Sequence, residues 1–466
     1  MRRTLTSSFA LLLAAACSTA PKYERPPVEL PAAWKESGPK YAEDGRWWRI
    51  YNDQPLNTLV EEGLKGNADL LIAAARIDEA RGILAEIQGG YYPTLDARAG
   101  ALRQQVSQRT ATAFPGIPTQ YSDFRAALHV SYDLDLFGRI RSSADAARAE
   151  IAANEASRDA IRLALAAQIA KSYFALRSFD EQVELTRRTV SLREEALGLQ
   201  RKRFQGGLIS EYELRQLEAE TAAVRAQLPP LEREREREEA ALGVLLGRSP
   251  QLVFEGGVTR TLAYDEMPGP AVVPPGIPSE LLLRRPDLVQ AEQQLVAANA
   301  RIGVARADMF PSISLTGFYG RESASLSSLF NGPAAIWQIA AGITQPIFAG
   351  GRLAARTDQA EARQRQLVAQ YRKTIQTAFS EVRAALAAQT RSRESFDAES
   401  FDAESARATA LTDTLRLARL RYQNGVASQL DVIDAERGLL AARIARIEAL
   451  RAQRAAVADL FRALGG

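Results

Sequence analysis

Residues 123–135 read Asp-Phe-Arg-Ala-Ala-Leu-His-Val-Ser-Tyr-Asp-Leu-Asp. Successive side chains of an extended chain point to opposite sides, so Phe124, Ala126, Leu128, Val130, Tyr132 and Leu134 share one face. Asp123, Arg125, Ala127, His129, Ser131, Asp133 and Asp135 share the other. This is a strand with one apolar and one wet face. Three further segments alternate in the same way: Leu95, Ala97, Ala99 and Ala101 against Thr94, Asp96 and Arg98; Ile313 and Leu315 against Ser312, Ser314 and Thr316; Trp337, Ile339, Ala341 and Ile343 against Gln338, Ala340, Gly342 and Thr344. Strands are expected at about 94–106, 121–136, 312–321 and 335–347.

The four segments belong to two copies of one plan. Ala68-Asp69-Leu70 lies on Pro286-Asp287-Leu288, Pro93-Thr94-Leu95 on Pro311-Ser312-Ile313, and Arg203-Phe204-Gln205-Gly206-Gly207 on Arg421-Tyr422-Gln423-Asn424-Gly425, each at an offset of 218. Between these anchors Gly138-Arg139 matches Gly351-Arg352 at an offset of 213. A tandem Ser-Phe-Asp-Ala-Glu over 395–404 supplies the whole of the slip. Five residues turn an α-helix by about 500°, so the insertion must be absorbed locally. A bulge or short loop is expected between Arg391 and Ser405, with Phe396 and Phe401 on its edges and packing resumed by Leu411.

Pro is absent from Thr119 to Leu228 and from Ile347 to Gly466, stretches rich in Ala, Leu, Arg, Glu and Gln. Long helices are expected at about 139–205, 209–246, 351–423 and 428–463, with Gly206-Gly207 and Asn424-Gly425 as turns. The first would reach about 100 Å at 1.5 Å per residue. Apolar Ile161, Leu165, Ile169, Tyr173, Leu176 and Val183 recur at helical spacing, as in helices packed side by side. Charges such as the run Glu232 to Glu239 read as a solvated face. Pro229-Pro230 is expected to kink or break the helix after Leu228. The fold class is thus α+β, mainly α, with a first repeat over 55–283 and a second over 284–466.

Arg2 and Arg3 precede an apolar stretch, Phe9 to Ala16, too short to span a membrane and suited to a signal peptide over 1–16. The single Cys, Cys17, follows Leu13-Ala14-Ala15-Ala16 and precedes Ser18, which resembles a bacterial lipoprotein cleavage and acylation site. By that resemblance Ser18 favours sorting to the outer membrane. Pro21, Pro26, Pro27 and Pro31 then suggest an extended tether over 17–54.

Composition excludes several classes. The 466 residues carry 59 basic and 56 acidic side chains, a formal charge of +3, which argues against a nucleic-acid partner. With 46% apolar residues and a mean hydropathy of −0.20 the chain is too polar for a bundle of lipid-embedded helices, while a strand barrel of alternating faces remains open. One Cys and one His leave no intramolecular disulfide, Cys-cluster zinc site or Cys–His pair, and no Gly-Lys-Ser phosphate loop is present. No catalytic residue, cofactor or metal ligand is assigned, and no enzyme is expected. Four strands cannot close a barrel, and an open edge cannot face lipid, so chains must pool their strands; three chains would give twelve. Arg98, Arg125, His129 and Asp133 on the wet face would then line a channel.

Several longer pieces carry a resemblance: Tyr132-Asp133-Leu134-Asp135-Leu136-Phe137-Gly138-Arg139, Leu282-Leu283-Arg284-Arg285-Pro286-Asp287, Ala297-Ala298-Asn299-Ala300, Phe310-Pro311-Ser312-Ile313-Ser314-Leu315 and the ending Ala463-Leu464-Gly465-Gly466. In these the chain resembles the TolC-like outer-membrane factors of tripartite efflux pumps, in particular their lipoprotein branch. The resemblance implies a homotrimer in outer-membrane lipid, with a twelve-stranded transmembrane barrel and a long periplasmic helical barrel. It further implies an exit duct served by an RND-type inner-membrane transporter and a periplasmic adaptor. It places a periplasmic gate just after the turn between the last two helices, at Leu430, Asp434 and Arg437, whose spacings of four and three put them on one helix face. The first half carries Tyr212, Gln216 and Ala219 there, so only the second-half helix is expected to supply gate charges. A structural coiled-coil lipoprotein and a general porin are the competing readings.

Overall fold

The structure is a computed structural model that describes residues 19–29, 45–107, 109, 119–260, 284–394 and 401–466, the side chains of 392–394 and 401–405 excepted. The signal peptide, Cys17 and the bulge expected around the tandem repeat lie outside the described residues. In chain order the described elements are a 3₁₀ turn (Trp47–Tyr51), α1 (Gln54–Gly66), α2 (Ala68–Gly89), β1 (Thr94–Gln105), β2 (Gln120–Leu134), α3 (Arg139–Gln205), α4 (Glu211–Leu245) and α5 (Pro250–Glu255). The second half adds α6 (Pro286–Ala307), β3 (Ser312–Ser323), a second 3₁₀ turn (Leu326–Ser328), β4 (Ala335–Thr344), α7 (Arg352–Glu394), α8 (Phe401–Gln423) and α9 (Gln429–Leu464). Two compact units result, and neither follows the repeats: one takes residues up to 27 with 76–155 and 290–372, the other 28–75, 156–289 and 373–466.

The first unit holds an antiparallel sheet in the order β1-β2-β3-β4. Val130 lies opposite Leu95 and Gly317, and Leu128 opposite Ala97 and Tyr319, so the apolar positions of neighbouring strands share a face. That face is open: Leu128 is 49% exposed, Ile343 70% and Ile339 82%. A sheet that leaves its apolar side uncovered is suited to an apolar solvent.

Residues 19–27 are not a free tether. The Thr19 hydroxyl donates to the carbonyls of Gly303 (2.8 Å) and Phe137 (3.2 Å), and Asn299 Nδ2 donates to the Pro21 carbonyl (2.7 Å). Arg25 grips Glu292 in a two-point ion pair, both bonds 2.7 Å, and the Tyr23 hydroxyl donates to the same carboxylate. Burial, reinforced by Glu292, pushes the Tyr23 phenol up to about 12. Gly303 is required by this strap, because a Cβ there would sit 2.6 Å from the Ala20 Cβ.

The second unit has its core around the first 3₁₀ turn, and here too the expected tether over 17–54 is corrected. Trp47, Trp48 and Tyr51 are buried, Trp47 stacked on Phe461 at 5.0 Å and Tyr51 set edge-on to Phe174 at 4.7 Å. Each such ring contributes roughly 1.5–3 kcal/mol by leaving water. Asp53 caps α1 by accepting from the Leu56 amide and also accepts from the Tyr173 hydroxyl, both at 3.0 Å. Within α3, Leu165, Ile169, Tyr173, Leu176 and Val183 are buried, as their spacing requires. Arg285 ties the start of α6 to α7 and to the end of α9, donating to Asp287, to Glu381 (2.9 Å) and to the Ala463 carbonyl (3.0 Å).

Of the kink or break expected at Pro229-Pro230, the break does not occur: α4 runs through both prolines to Leu245. The missing N–H groups free only the carbonyls of Arg225 and Ala226, two exposed residues whose oxygens water can satisfy, while buried Val224 and Leu242 hold the helix on either side.

Replacing Glu292 by Ala removes the Arg25 and Tyr23 anchors and is expected to expose the bond after Lys22 to trypsin. N-terminal sequencing of timed digests should show cleavage there at least tenfold faster than in the wild type; equal rates would mean the strap is held by something else.

Candidate functional site

The polar face of the sheet brings the four strand candidates together. Arg98 lies opposite Ala127, which places it on the face of Arg125, His129 and Asp133. Arg125 faces Glu322 across the β2–β3 pair at 3.7 Å and lies over the Phe318 ring at 4.4 Å, and the His129 ring stands 5.4 Å from the same Phe. Arg98 pairs with Asp96 at 3.8 Å, and Asp133 lies opposite Ser314. Phe318 is the unforeseen member, an apolar residue at a position of the wet face.

The second candidate lies at the turns between long helices. Gly207 and Gly425 both have φ +72°, a left-handed value that glycine adopts without strain. In each, the amide of the residue after that glycine closes back: Leu208 on the Arg203 carbonyl (2.8 Å), Val426 on that of Arg421 (2.9 Å). Both following helices then begin with a capping box, Ser210 with Glu213 and Ser428 with Asp431, in the same register of the repeat. The backbone N–H of Ser428 is the main cause that holds the Asp431 carboxyl below its ordinary value. Ser-x-x-Glu and Ser-x-x-Asp are legible in the sequence, and would have located both helix starts.

On α9 the three gate candidates are all exposed: Leu430 41%, with the Asp434 and Arg437 side chains 59% and 58%. Asp434 and Arg437 pair weakly at 3.7 Å. Arg437 makes its stronger contact elsewhere, donating to Glu220 of α4 at 2.6 Å. Glu220 lies on the first-half helix, one residue beyond the Ala219 position compared in the sequence. Behind Glu220 lies Arg193 of α3, a buried cation that donates to the Glu220 carbonyl (3.1 Å) and faces the carboxylates of Glu220 (3.6 Å) and Glu436 (3.7 Å). Arg419 of α8 closes the series on Glu436 at 2.9 Å. Arg419, Glu436, Arg193, Glu220, Arg437 and Asp434 thus alternate in sign across four helices. Around them Leu197, Leu214, Leu217 and Ile433 form one apolar cluster, and Leu415, Val432, Ala435 and Leu439 another. Leu411 packs on the latter. Arg193 gave no signal in the sequence, since nothing local distinguishes a buried Arg from the exposed ones of the same helix.

Among the described residues no group of three or more His, Cys, Asp or Glu is placed to hold a metal ion, and no helix is long and apolar enough to cross a membrane.

A sheet with its apolar side bare and its polar side lined by ion pairs, on a chain otherwise built of long helices, defines a strand-borne membrane channel subunit. The sequence matches the outer membrane efflux protein family twice, over residues 59–248 and 277–466, and the chain belongs to that family. It is 35% identical over 462 residues to the toluene efflux pump outer membrane protein TtgC of Pseudomonas putida, covering 97% of this chain and 92% of that one. It is 33% identical over 457 residues to the cation efflux system protein CusC of Escherichia coli, covering 97% and 96%. The crystal structure of the CmeC outer membrane channel of Campylobacter jejuni superposes with a TM-score of 0.90 at 26% identity, over 96% of this chain and 95% of that one. The fold is TolC-like, and the protein is an outer-membrane efflux channel.

Buried and exposed members of the charge series should differ in what they contribute. Glu220→Gln leaves Arg193 short of a carboxylate in a dry setting and is expected to cost about 1–3 kcal/mol. Arg437→Ala removes an exposed partner and should cost under about 1 kcal/mol. Denaturant titration in detergent ranks the two, and the reverse order would remove Arg193 from the centre of the network.

Proposed function

We propose that three copies of this chain form a closed duct across the outer membrane, gated at the turn end of the helices and acylated at Cys17. In this reading Arg98, Arg125, His129 and Asp133 line the pore. Cargo arrives from an RND-type inner-membrane transporter through a periplasmic adaptor, and the channel conducts it passively, without chemistry or cofactor. Those partners rather than the duct would set the cargo, which is consistent with relatives of nearly equal similarity named for toluene and for cations.

The observation that carries the gate is the charge series itself. It joins α9, where Leu430, Asp434 and Arg437 lie, to α3, α4 and α8 through contacts that a modest displacement would break. A general porin needs neither a helix of 67 residues nor such a network, and a purely helical lipoprotein leaves the four-stranded sheet without a use.

Single-channel recording in planar bilayers tests the gate. Asp434→Ala with Arg437→Ala is expected to give larger and longer openings, and cells that take up bulky antibiotics. Intact trimers of wild-type conductance would exclude these residues as the closure.

Cys17 is tested separately by mass spectrometry of the N-terminal peptide of purified protein. A diacylglyceryl thioether with an N-acyl group is expected; a cleaved, unmodified Cys17 would overturn acylation while leaving the channel reading untouched.

A further inference from the structure

The arginines of the four strands divide by face. Arg98 and Arg125 lie on the wet face, each with a carboxylate beside it, Asp96 at 3.8 Å and Glu322 at 3.7 Å. Arg103 and Arg321 lie on the apolar face. Arg103 is opposite Ser122, which shares its side of β2 with Phe124 and Leu128, and Arg321 is opposite Ala126 and Ala335. No acid of the strands shares that face, since Asp96, Asp123, Asp133 and Glu322 all alternate onto the wet one. Two cations thus stand on a surface suited to lipid, with no counter-charge from the sheet.

Their positions are related by the internal repeat. The hairpins keep one register, with Thr94 opposite Ser131 and Ser312 opposite Thr344, so β3 is the counterpart of β1. Arg103 and Arg321 differ by 218, the offset of that repeat, and each comes eight residues after an apolar residue at the start of its strand, Leu95 or Ile313. Eight residues of a strand tilted by about 40° climb roughly 20 Å, close to the height of the apolar band of a membrane barrel. The helices α2, α3, α6 and α7 all join the strands at the end of Leu95, Leu134, Ile313 and Ile343, so both arginines stand towards the far rim. One row nearer the helices Tyr319 and Trp337 lie opposite each other, 64% and 70% exposed, at the level where aromatic rings border an apolar band. An Arg stem can lie along such a surface and carry its guanidinium to the head groups above it.

We infer that Arg103 and Arg321 form a binding belt for the phosphate groups of lipid A, the phosphorylated glycolipid of the outer leaflet. A guanidinium presents a planar fork of donors that matches phosphate oxygens. Small neighbours, Ala126 and Ala335 beside Arg321 and Ser122 beside Arg103, leave a bulky head group room to approach. The asymmetry of charge selects the leaflet, because the helix end of the same strand face, with Leu95, Leu134, Ile313 and Ile343, carries no cation. The inference rests on the reading of the chain as an outer-membrane channel with its helices in the periplasm, and adds a lipid ligand; three copies would repeat the pair around the ring.

Native mass spectrometry of the full-length protein in detergent tests it, with lipid A carrying two phosphates as the probe. Dephosphorylated lipid A and phosphatidylglycerol, an anionic phospholipid, serve as competitors. Wild-type protein is expected to retain lipid A at least tenfold better than either competitor at equal concentration. R103Q with R321Q should lower that retention at least fivefold while single-channel conductance stays at the wild-type value, and R103K with R321K should keep at least half of it. Equal retention of lipid A with and without its phosphates would overturn the site on wild-type protein alone, even if the double variant failed to assemble. Preference for phosphatidylglycerol would overturn it as well, by making the belt a general contact for anionic lipid. Wild-type protein that gives no conductance in planar bilayers would instead overturn the channel reading and the lipid site with it.

Discussion

A strand edge cannot be left open to hydrocarbon, where each unpaired backbone group costs several kcal/mol and no water is present to relieve it. For this chain the constraint bears on two strands, β1 and β4, and the rest of its first unit is arranged accordingly. The apolar faces of all four strands lie together and uncovered, the polar faces lie together with Arg125 held between Glu322 and Phe318, and the strap from Thr19 to Arg25 is fastened to α6 in the same unit. In the proposed trimer such a sheet is completed by the neighbouring copies.

The helical unit obeys a different constraint, the cost of a buried cation. Arg193 lies inside the α3, α4 and α9 contact with carboxylates on either side, and the pairs become more exposed outward through Glu220 and Arg437 to Asp434. Such an arrangement is more selective than strong. Each outer pair is worth little in water, whereas the central one is costly to leave half-made, so the series favours one seating of α9 without clamping its surface. That is a suitable property for the gate proposed above.

The repeat links both units. Duplicated glycine turns, duplicated capping boxes and duplicated hairpin registers survive in halves whose side chains have otherwise diverged, because each is a backbone requirement. One charge pair is duplicated, Arg201 with Glu218 and Arg419 with Glu436, whereas Glu220 and Arg437 have the uncharged Gly438 and Ala219 at their counterpart positions. Divergence of that kind lets one helix pair behave differently from its twin.

The sequence by itself determined the element order, the alternating faces, the repeat and its offsets, and the family. These rest on local periodicity and on residues such as Gly207 and Gly425, whose conformational role needs no distant partner. Tertiary structure alone decided three things. The supposed tether became a strap and an aromatic core, because Gly303 and Glu292, its partners, lie in the other half of the chain. Pro229-Pro230 passed without a break, because exposure on the surrounding turn, not proline itself, sets the cost of two freed carbonyls. Arg437 found Glu220 with Arg193 behind it, because the partner of a charge is chosen by which helices pack together, and that choice is a property of the assembled unit that no stretch of sequence spells out.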